Sequence, residues 1–471
     1  MTTQTPTDTA TIVLVTTADT DILTAERALV GMTWGDGVSV YACNPVSLEG
    51  DGESAGTARE DLLQAVGRSS AVVLRLLGGR RALGDVFEPL VEICRANGIP
   101  LIACPGHQEW DEDLVTACTA PVAEVETVFS YLMRGGVLNF RNLFLFLADT
   151  YLGADYGHEA PAPMPWQGVY HPEVPEGTGV AEYMANRFKS DRPSIGVLFY
   201  RAHWMSGNLA FVDALIARLE AQDVNVLPVF SYSLKHQPEE DEGAGGHTLT
   251  EYMVDAAGVP RVDCIVNTMG LAMSDLDHQQ GGTGATVATG WSQELLDKLD
   301  VPIIQGIVST GSRSEWEDSS LGLGPIDTAM NVAFPEFDGR IITVPVSFKE
   351  ETDAAGSGLS AGRMQRYVPQ PDRMDHLARL AARHATLRRK GNADKRVAII
   401  LSNYPTKDAR IGNAVGLDTP ASAINLLHAL RSAGYYVENI PADGDELVQR
   451  IIARCSNDTD TLTEEQLRLA A

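Results

Sequence analysis

Three stretches of this chain open in the same way, and together they restrict its fold more than any other feature. Thr11-Ile-Val-Leu-Val-Thr-Thr17, Ser194-Ile-Gly-Val-Leu-Phe-Tyr200 and Val397-Ala-Ile-Ile-Leu401 are apolar runs of buried-strand type. Each leads into a polar loop and then an amphipathic helical pattern, near 21–30, 208–221 and 420–433. Further apolar runs at 71–77 and 100–104 extend the first unit, and runs at 226–230, 264–267 and 301–304 extend the second. Strands alternating with helices predict parallel sheets covered by helices on both faces. The expected class is therefore α/β, with several doubly wound units of flavodoxin-like or Rossmann-like type. In the second unit Leu209, Val212, Leu215, Ile216 and Leu219 form one apolar helical stripe. In the third, Thr419 suits an N-cap, Pro420 the first helical position and Gly434 the C-terminal glycine. Too few strands follow residue 396 to bury both faces of a sheet, so the third unit is expected to be incomplete.

The expected division is a first α/β domain over 1–152, a Pro- and Gly-rich linker over 153–192 and a second α/β domain over 193–348. A linker and a helix follow over 349–392, then the start of a third domain over 393–471. Loops are expected at 233–247, around the acidic run EEDEGAGG, and at 281–290, GGTGATVATG. Thr463 and Gln466 read as the capping box of a last helix.

With 63 acidic against 36 basic residues the formal net charge is −27. That balance argues against non-specific nucleic-acid binding and against adsorption on anionic lipid. No run of about 18 apolar residues is present to span a membrane, and the N-terminus lacks the pattern of a signal peptide. The six cysteines include no CxxC pair and read as reduced, mostly buried thiols. A cytoplasmic protein is expected. No Gly-Lys dipeptide occurs, hence no Walker A loop, and no HExxH is found.

Candidate site residues lie where α/β folds place ligands, at the carboxyl ends of strands. The loop after the second unit's first strand packs Tyr200, Arg201, His203, Trp204 and Asn208 into nine residues. It reads either as a ligand loop, with rings for stacking and a cation for carboxylates, or as a capped strand–helix turn. Gln305 ends another apolar strand, and either faces a ligand or caps the next turn. Pro335-Glu336-Phe337-Asp338-Gly339-Arg340 sets two carboxylates close together, as an acid/base pair or as a tight turn. The long loop carrying Tyr404, Lys407, Arg410 and Asn413 is either ligand-contacting or simply solvated.

At these residues the chain resembles a known family. RPSIGVLFYRAHWMSGNLAFVDALIARLEAQDVNVLPVFSYSLK, then VPIIQGI and SEWEDSSLGLGPIDTAMNVAFPEFDGRI, then VAIILSNYPTKDARIGNAVGLDTPAS, resemble in order the large subunit of aerobic cobaltochelatase, the CobN subunit. The large subunit of magnesium chelatase is similar more distantly, and residues 1–190 match only loosely. The resemblance implies insertion of Co²⁺, a substrate, into hydrogenobyrinic acid a,c-diamide in cobalamin biosynthesis. It implies that AAA+ partner subunits, not this chain, bind ATP and Mg²⁺. It implies tetrapyrrole contacts by Tyr200, Arg201, Trp204, Gln305, Tyr404, Lys407, Arg410 and Asn413. Metallation needs a base for the ring N–H protons, and His203 and Glu336 have the fitting chemistry; the metal ligands stay unassigned. Family members are longer and carry a His-Gly-x-Leu-Glu-Trp stretch that has no counterpart here. The chain is therefore expected to be the N-terminal portion of such a subunit and inactive alone. The competing expectations are a non-catalytic tetrapyrrole-binding or assembly module, the equivalent part of a magnesium chelatase, and, more remotely, a periplasmic-binding-like sensor.

Overall fold

The computed structural model describes residues 10–30, 32, 38–50, 52–107, 111–232, 249–270, 299–352, 359–361, 364–404, 406–454, 458, 460, 463–465 and 468. It divides into two compact units, Met1–Ala385 and Thr386–Ala471. The loops expected at 233–247 and 281–290, and Gln466 of the capping box, lie outside the described residues.

The first unit holds two sheets. Its strands are β1 (Ala10–Thr16), β2 (Val38–Cys43), β3 (Ser69–Leu76), β4 (Leu101–Pro105), β5 (Gln167–Val169), β6 (Ser194–Tyr200), β7 (Asn225–Ser231), β8 (Cys264–Asn267), β9 (Ile303–Val308), β10 (Ile341–Thr352), β11 (Leu359–Ala361) and β12 (Met364–Pro369). One sheet runs β11-β2-β1-β3-β4 and is wholly parallel. The other runs β12-β10-β9-β8-β6-β7-β5, parallel except for its two edge pairs, β10–β12 and β5–β7. Both contain the flavodoxin-like order, in which the second strand lies on one side of the first and the later strands on the other. The apolar runs form the central strands because helices bury both faces. Ile195, Val197 and Phe199 of β6 pack under helices Ala210–Glu220 and Pro371–Arg389. Leu198 packs on the opposite face with Tyr183, Tyr252 and Met253. Of the expected stripe, Val212, Leu215, Ile216 and Leu219 are buried there, while Leu209 is the N-cap and only partly buried.

Several expectations change. The segment 349–372, expected to be a linker, carries strands. Residues 347–352 pair antiparallel with 364–369, and Leu359–Ala361 pairs with Val40–Ala42 of the other sheet. Edge strands tolerate the polar, glycine-containing composition that reads as a loop. The segment 153–192 contributes β5 and helix Val180–Arg187. In the second unit Val397–Leu401 is not a strand: among the described residues no ladder pairs with it, and Ile400 is 91% exposed. Described elements of this unit include helices Thr419–Ser432 and Gly444–Ile452, which pack together. Asp418, not Thr419, is the N-cap, accepting from the Ala421 amide at 3.0 Å. Gly434 does take a positive φ of 84° beyond that helix.

The two sheets of the first unit are fastened through the turn after β6. That turn forms a short helix, Arg201–Ser206, which packs on helices Asp19–Leu29 and Gly136–Tyr151 of the other sheet. Lys349 meets Asp19 at 3.2 Å, Arg366 pairs with Glu26, and the Tyr367 amide donates to Asn208 Oδ1 at 3.2 Å. His203 lies edge-on to Phe211 and Tyr367, with ring centres 4.9 and 5.1 Å away. Burial pushes its imidazole down to about 4. Beneath β8 and β9, Arg340 and Asp338 form an ion pair at 2.6 Å with neither side chain exposed.

Two outcomes follow from these contacts. Arg340→Met leaves a buried carboxylate without its cation and should cost about 3–5 kcal/mol, read as a lower urea midpoint. His203 titrates near 6.5 when unfolded and lower when folded, so the unfolded state gains the proton first and stability falls as pH drops from about 6.5 towards 4. His203→Phe keeps the ring packing and should shrink the stability difference between pH 7 and pH 4.5 by about 2 kcal/mol in paired denaturation curves.

Candidate functional site

In the second sheet, chain connections leave in opposite directions from β6 and β8, and the crevice at their carboxyl ends is where such folds bind ligands. Tyr200 ends β6, and its hydroxyl donates to the Gly270 carbonyl at 3.2 Å. Next to it three donors converge on the Met269 carbonyl: Asn267 Nδ2 at 2.8 Å, Gln305 Nε2 at 3.1 Å and Arg340 Nη1 at 3.2 Å. Gln305 Oε1 accepts from Asn267 at 2.9 Å and from Arg340 at 2.9 Å. Gln305 is fully buried, so its amide orders this crevice from within. After β9, Asp327 accepts from Ser309 Oγ at 2.7 Å and from the Thr310 amide at 2.9 Å. It thereby ties the turn after β9 to helix Pro325–Thr328, which runs on into the π-helical segment Ala329–Ala333.

Arg201 takes a different place from its neighbours. Its Nε and Nη2 donate to the carbonyls of Pro165 and Met164 at 2.7 and 3.1 Å. Its guanidinium lies 4.8 Å from the centre of the Trp166 ring, and Trp166 meets Tyr232 edge-on at 5.0 Å. Burial pulls Arg201 down to about 10. Among the described residues no carboxylate forms an ion pair with it.

Trp204 is only 8% exposed and stacks flat on Phe230, with centres 4.2 Å apart and planes 4° from parallel. Gly168 makes room for that stack, since a Cβ there would fall 2.6 Å from Phe230 Cζ. Trp204 and Phe230 form part of the wall of a cleft of about 830 Å³, which Tyr170, Asp213 and Arg27 also line. The Tyr170 hydroxyl donates to Asp213 at 2.8 Å, and burial holds the Asp213 carboxyl above its ordinary value.

The two carboxylates of the 335–340 turn do not work as a pair. Asp338 is spent on Arg340, while Glu336 is exposed. The other basic-polar cluster belongs to the second unit. There Tyr404 is 85% exposed, and Arg410 and Asn413 are exposed. Lys407 is neutralised by Asp458 at 3.6 Å and by Asp460, and the Gly412 amide closes the loop on the Ser402 carbonyl at 2.8 Å. Among the described residues no group of three or more His, Cys, Asp or Glu is placed to hold a metal ion, and no helix is long and apolar enough to cross a membrane. Five cysteines, Cys43, Cys94, Cys104, Cys118 and Cys264, are free thiols, and four of them are buried.

Sequence inspection missed Trp166, Tyr232, Asn267, Asp327 and Arg340 as contributors. Tyr232 could have been found from its position just after an apolar strand. Trp166 could not, because only the pairing of β5 with β7 brings it there.

The sequence profile of the CobN/magnesium chelatase family matches residues 129–471. Aerobic cobaltochelatase subunit CobN of Pseudomonas aeruginosa is 38% identical over 90% of this chain and 31% of its own length. The chloroplastic magnesium-chelatase subunit ChlH of Oryza sativa subsp. indica is 29% identical over 83% of this chain and 27% of its own. The solved structure of the catalytic subunit of cobaltochelatase from Mycobacterium tuberculosis superposes with a TM-score of 0.70 at 35% identity, covering 94% of this chain and 33% of that one. The chain spans about a third of the length of the curated relatives it matches. It belongs to the CobN/magnesium chelatase family.

Proposed function

We propose that this chain acts as the corresponding part of the large subunit of a cobaltochelatase, in the assembly that inserts Co²⁺ into hydrogenobyrinic acid a,c-diamide during cobalamin biosynthesis in the cytoplasm. What carries the proposal is 38% identity to a cobaltochelatase subunit across 90% of the chain, against 29% across 83% for a magnesium-chelatase subunit. In this scheme the chain helps to hold the corrin-type ring, and ATP with Mg²⁺ is used by separate AAA+ partner subunits. The chain alone, in this scheme, binds the ring without metallating it.

Metal entry requires that the ring be held and that its N–H protons pass to a base. His203 is enclosed by the Phe211 and Tyr367 rings, away from a bound macrocycle, so its part is to hold the turn after β6. The carboxylate of Glu336 is exposed while that of Asp338 is engaged by Arg340, so Glu336 is the group with access to a ring N–H proton. Tyr200 and Gln305 order the crevice, and Arg201 supplies a cation for a ring carboxylate. In the second unit, taken by itself, Arg410, Tyr404 and Asn413 are exposed, while Lys407 already has acidic partners.

The test has two arms. Titrating the chain with hydrogenobyrinic acid a,c-diamide should give a saturable change in ring absorbance with no cobalt uptake when Co²⁺ is added. Absence of any saturable change would sink the proposal. In a complete subunit with its partners, Co²⁺ and ATP, Glu336→Gln should slow cobalt insertion by about 10²-fold and leave ring binding unchanged. An unaltered rate would remove Glu336 from proton transfer.

A further inference from the structure

We propose that Arg201, Trp166 and Tyr232 form a subsite for one peripheral carboxylate of a flat anionic ring, at the carboxyl ends of β6 and β7. This inference rests on the tetrapyrrole-binding function proposed above and deepens it. Arg201 directly follows β6, Tyr232 directly follows β7, and Trp166 precedes β5, which pairs antiparallel with β7. All three therefore stand at the ligand-binding edge of the second sheet.

The place of the cation at a strand end, together with its partners, sets it apart. Several arginines of this acidic chain are ion-paired, among them Arg75 with Asp21, Arg187 with Glu220, Arg192 with Asp223 and Arg340 with Asp338; Arg59 also donates to two carbonyls, but from helix Glu53–Gly67 and not from a strand end. Arg201 is partly buried, yet the polar partners described for it are two neutral carbonyls. These bonds fix the guanidinium plane through Nε and Nη2 and leave the Nη1 end for a ligand. A planar fork held in this way suits a carboxylate and loses little further freedom on binding. One face of the guanidinium is covered by the Trp166 ring, a contact that favours the charged form. Tyr232 is 52% exposed and offers a ring against which a conjugated macrocycle can pack. Trp204, the tryptophan that sequence inspection favoured for this task, is already stacked on Phe230.

The experiment titrates the chain with hydrogenobyrinic acid a,c-diamide and, in parallel, with its permethyl ester, which carries no carboxylates. Both titrations follow ring absorbance and tryptophan fluorescence. The unmodified chain should prefer the acid. Arg201→Lys, which keeps the charge and loses the fork, should weaken the acid about tenfold and leave the ester unchanged. Trp166→Leu and Tyr232→Leu should weaken both ligands by about tenfold. Arg201 and Trp166 also support residues 164–166, so circular dichroism checks each variant, and Tyr232→Leu, on an exposed ring, keeps the test valid if the others misfold. If folded variants bind both ligands as the unmodified chain does, the subsite is overturned and the chelatase proposal stands. If the unmodified chain binds neither ligand, both fall.

Discussion

A guanidinium with no exposure to water lies beneath the two central strands β8 and β9, and much of the second sheet's geometry depends on it. Arg340 is tolerable there because Asp338 balances its charge and because Gln305 and the Met269 carbonyl accept its protons. The same contacts explain why polar Asn267 and Gln305 sit opposite each other in an otherwise apolar core. Each amide is satisfied by the other and by Met269. Such a pair adds little to net stability compared with apolar packing, but it admits one arrangement of its members. That arrangement fixes the backbone at 269–270, which in turn anchors the Tyr200 hydroxyl.

The fold was legible where strands are buried on both faces. β1, β3, β4, β6, β7 and β8 read as continuous apolar runs because neither face meets water. The strands β5, β11 and β12 did not, since β5 and β11 are only three residues long and β12 is half-buried with a mixed composition. Val397–Leu401 shows the converse. Its residues have the character of a strand, but a strand is a property of pairing, and no partner pairs with it among the described residues. The candidate site was legible by position, through the rule that places ligands at strand ends, and less so by role. Trp204 and Gln305 look like ligand groups in one dimension and are core groups in three. Trp166 and Tyr232 gain their place only through strand pairing, which leaves no local mark in the sequence.

Charge is distributed with the same economy. In a chain of net charge −27, Lys407 is quenched by two aspartates, and Arg75, Arg187 and Arg340 are each matched with an acid. Arg201 is held by neutral carbonyls and an indole face instead, which preserves its field for whatever arrives at the sheet edge. The helix that begins with it is also the wedge between the two sheets, so the residue that faces outward is set by packing on both sides.

The loan of β11 to the first sheet bears on how the chain is made. β2 emerges from the ribosome early, whereas Leu359–Ala361, which lies against it, follows roughly three hundred residues later, and domains generally fold in order of synthesis. Until then the growing chain carries β2 with one row of amides and carbonyls lacking that partner, an open template of the kind that invites wrong pairing. The last described strand to reach the first sheet thus closes a gap that has stood open while roughly three hundred residues were made.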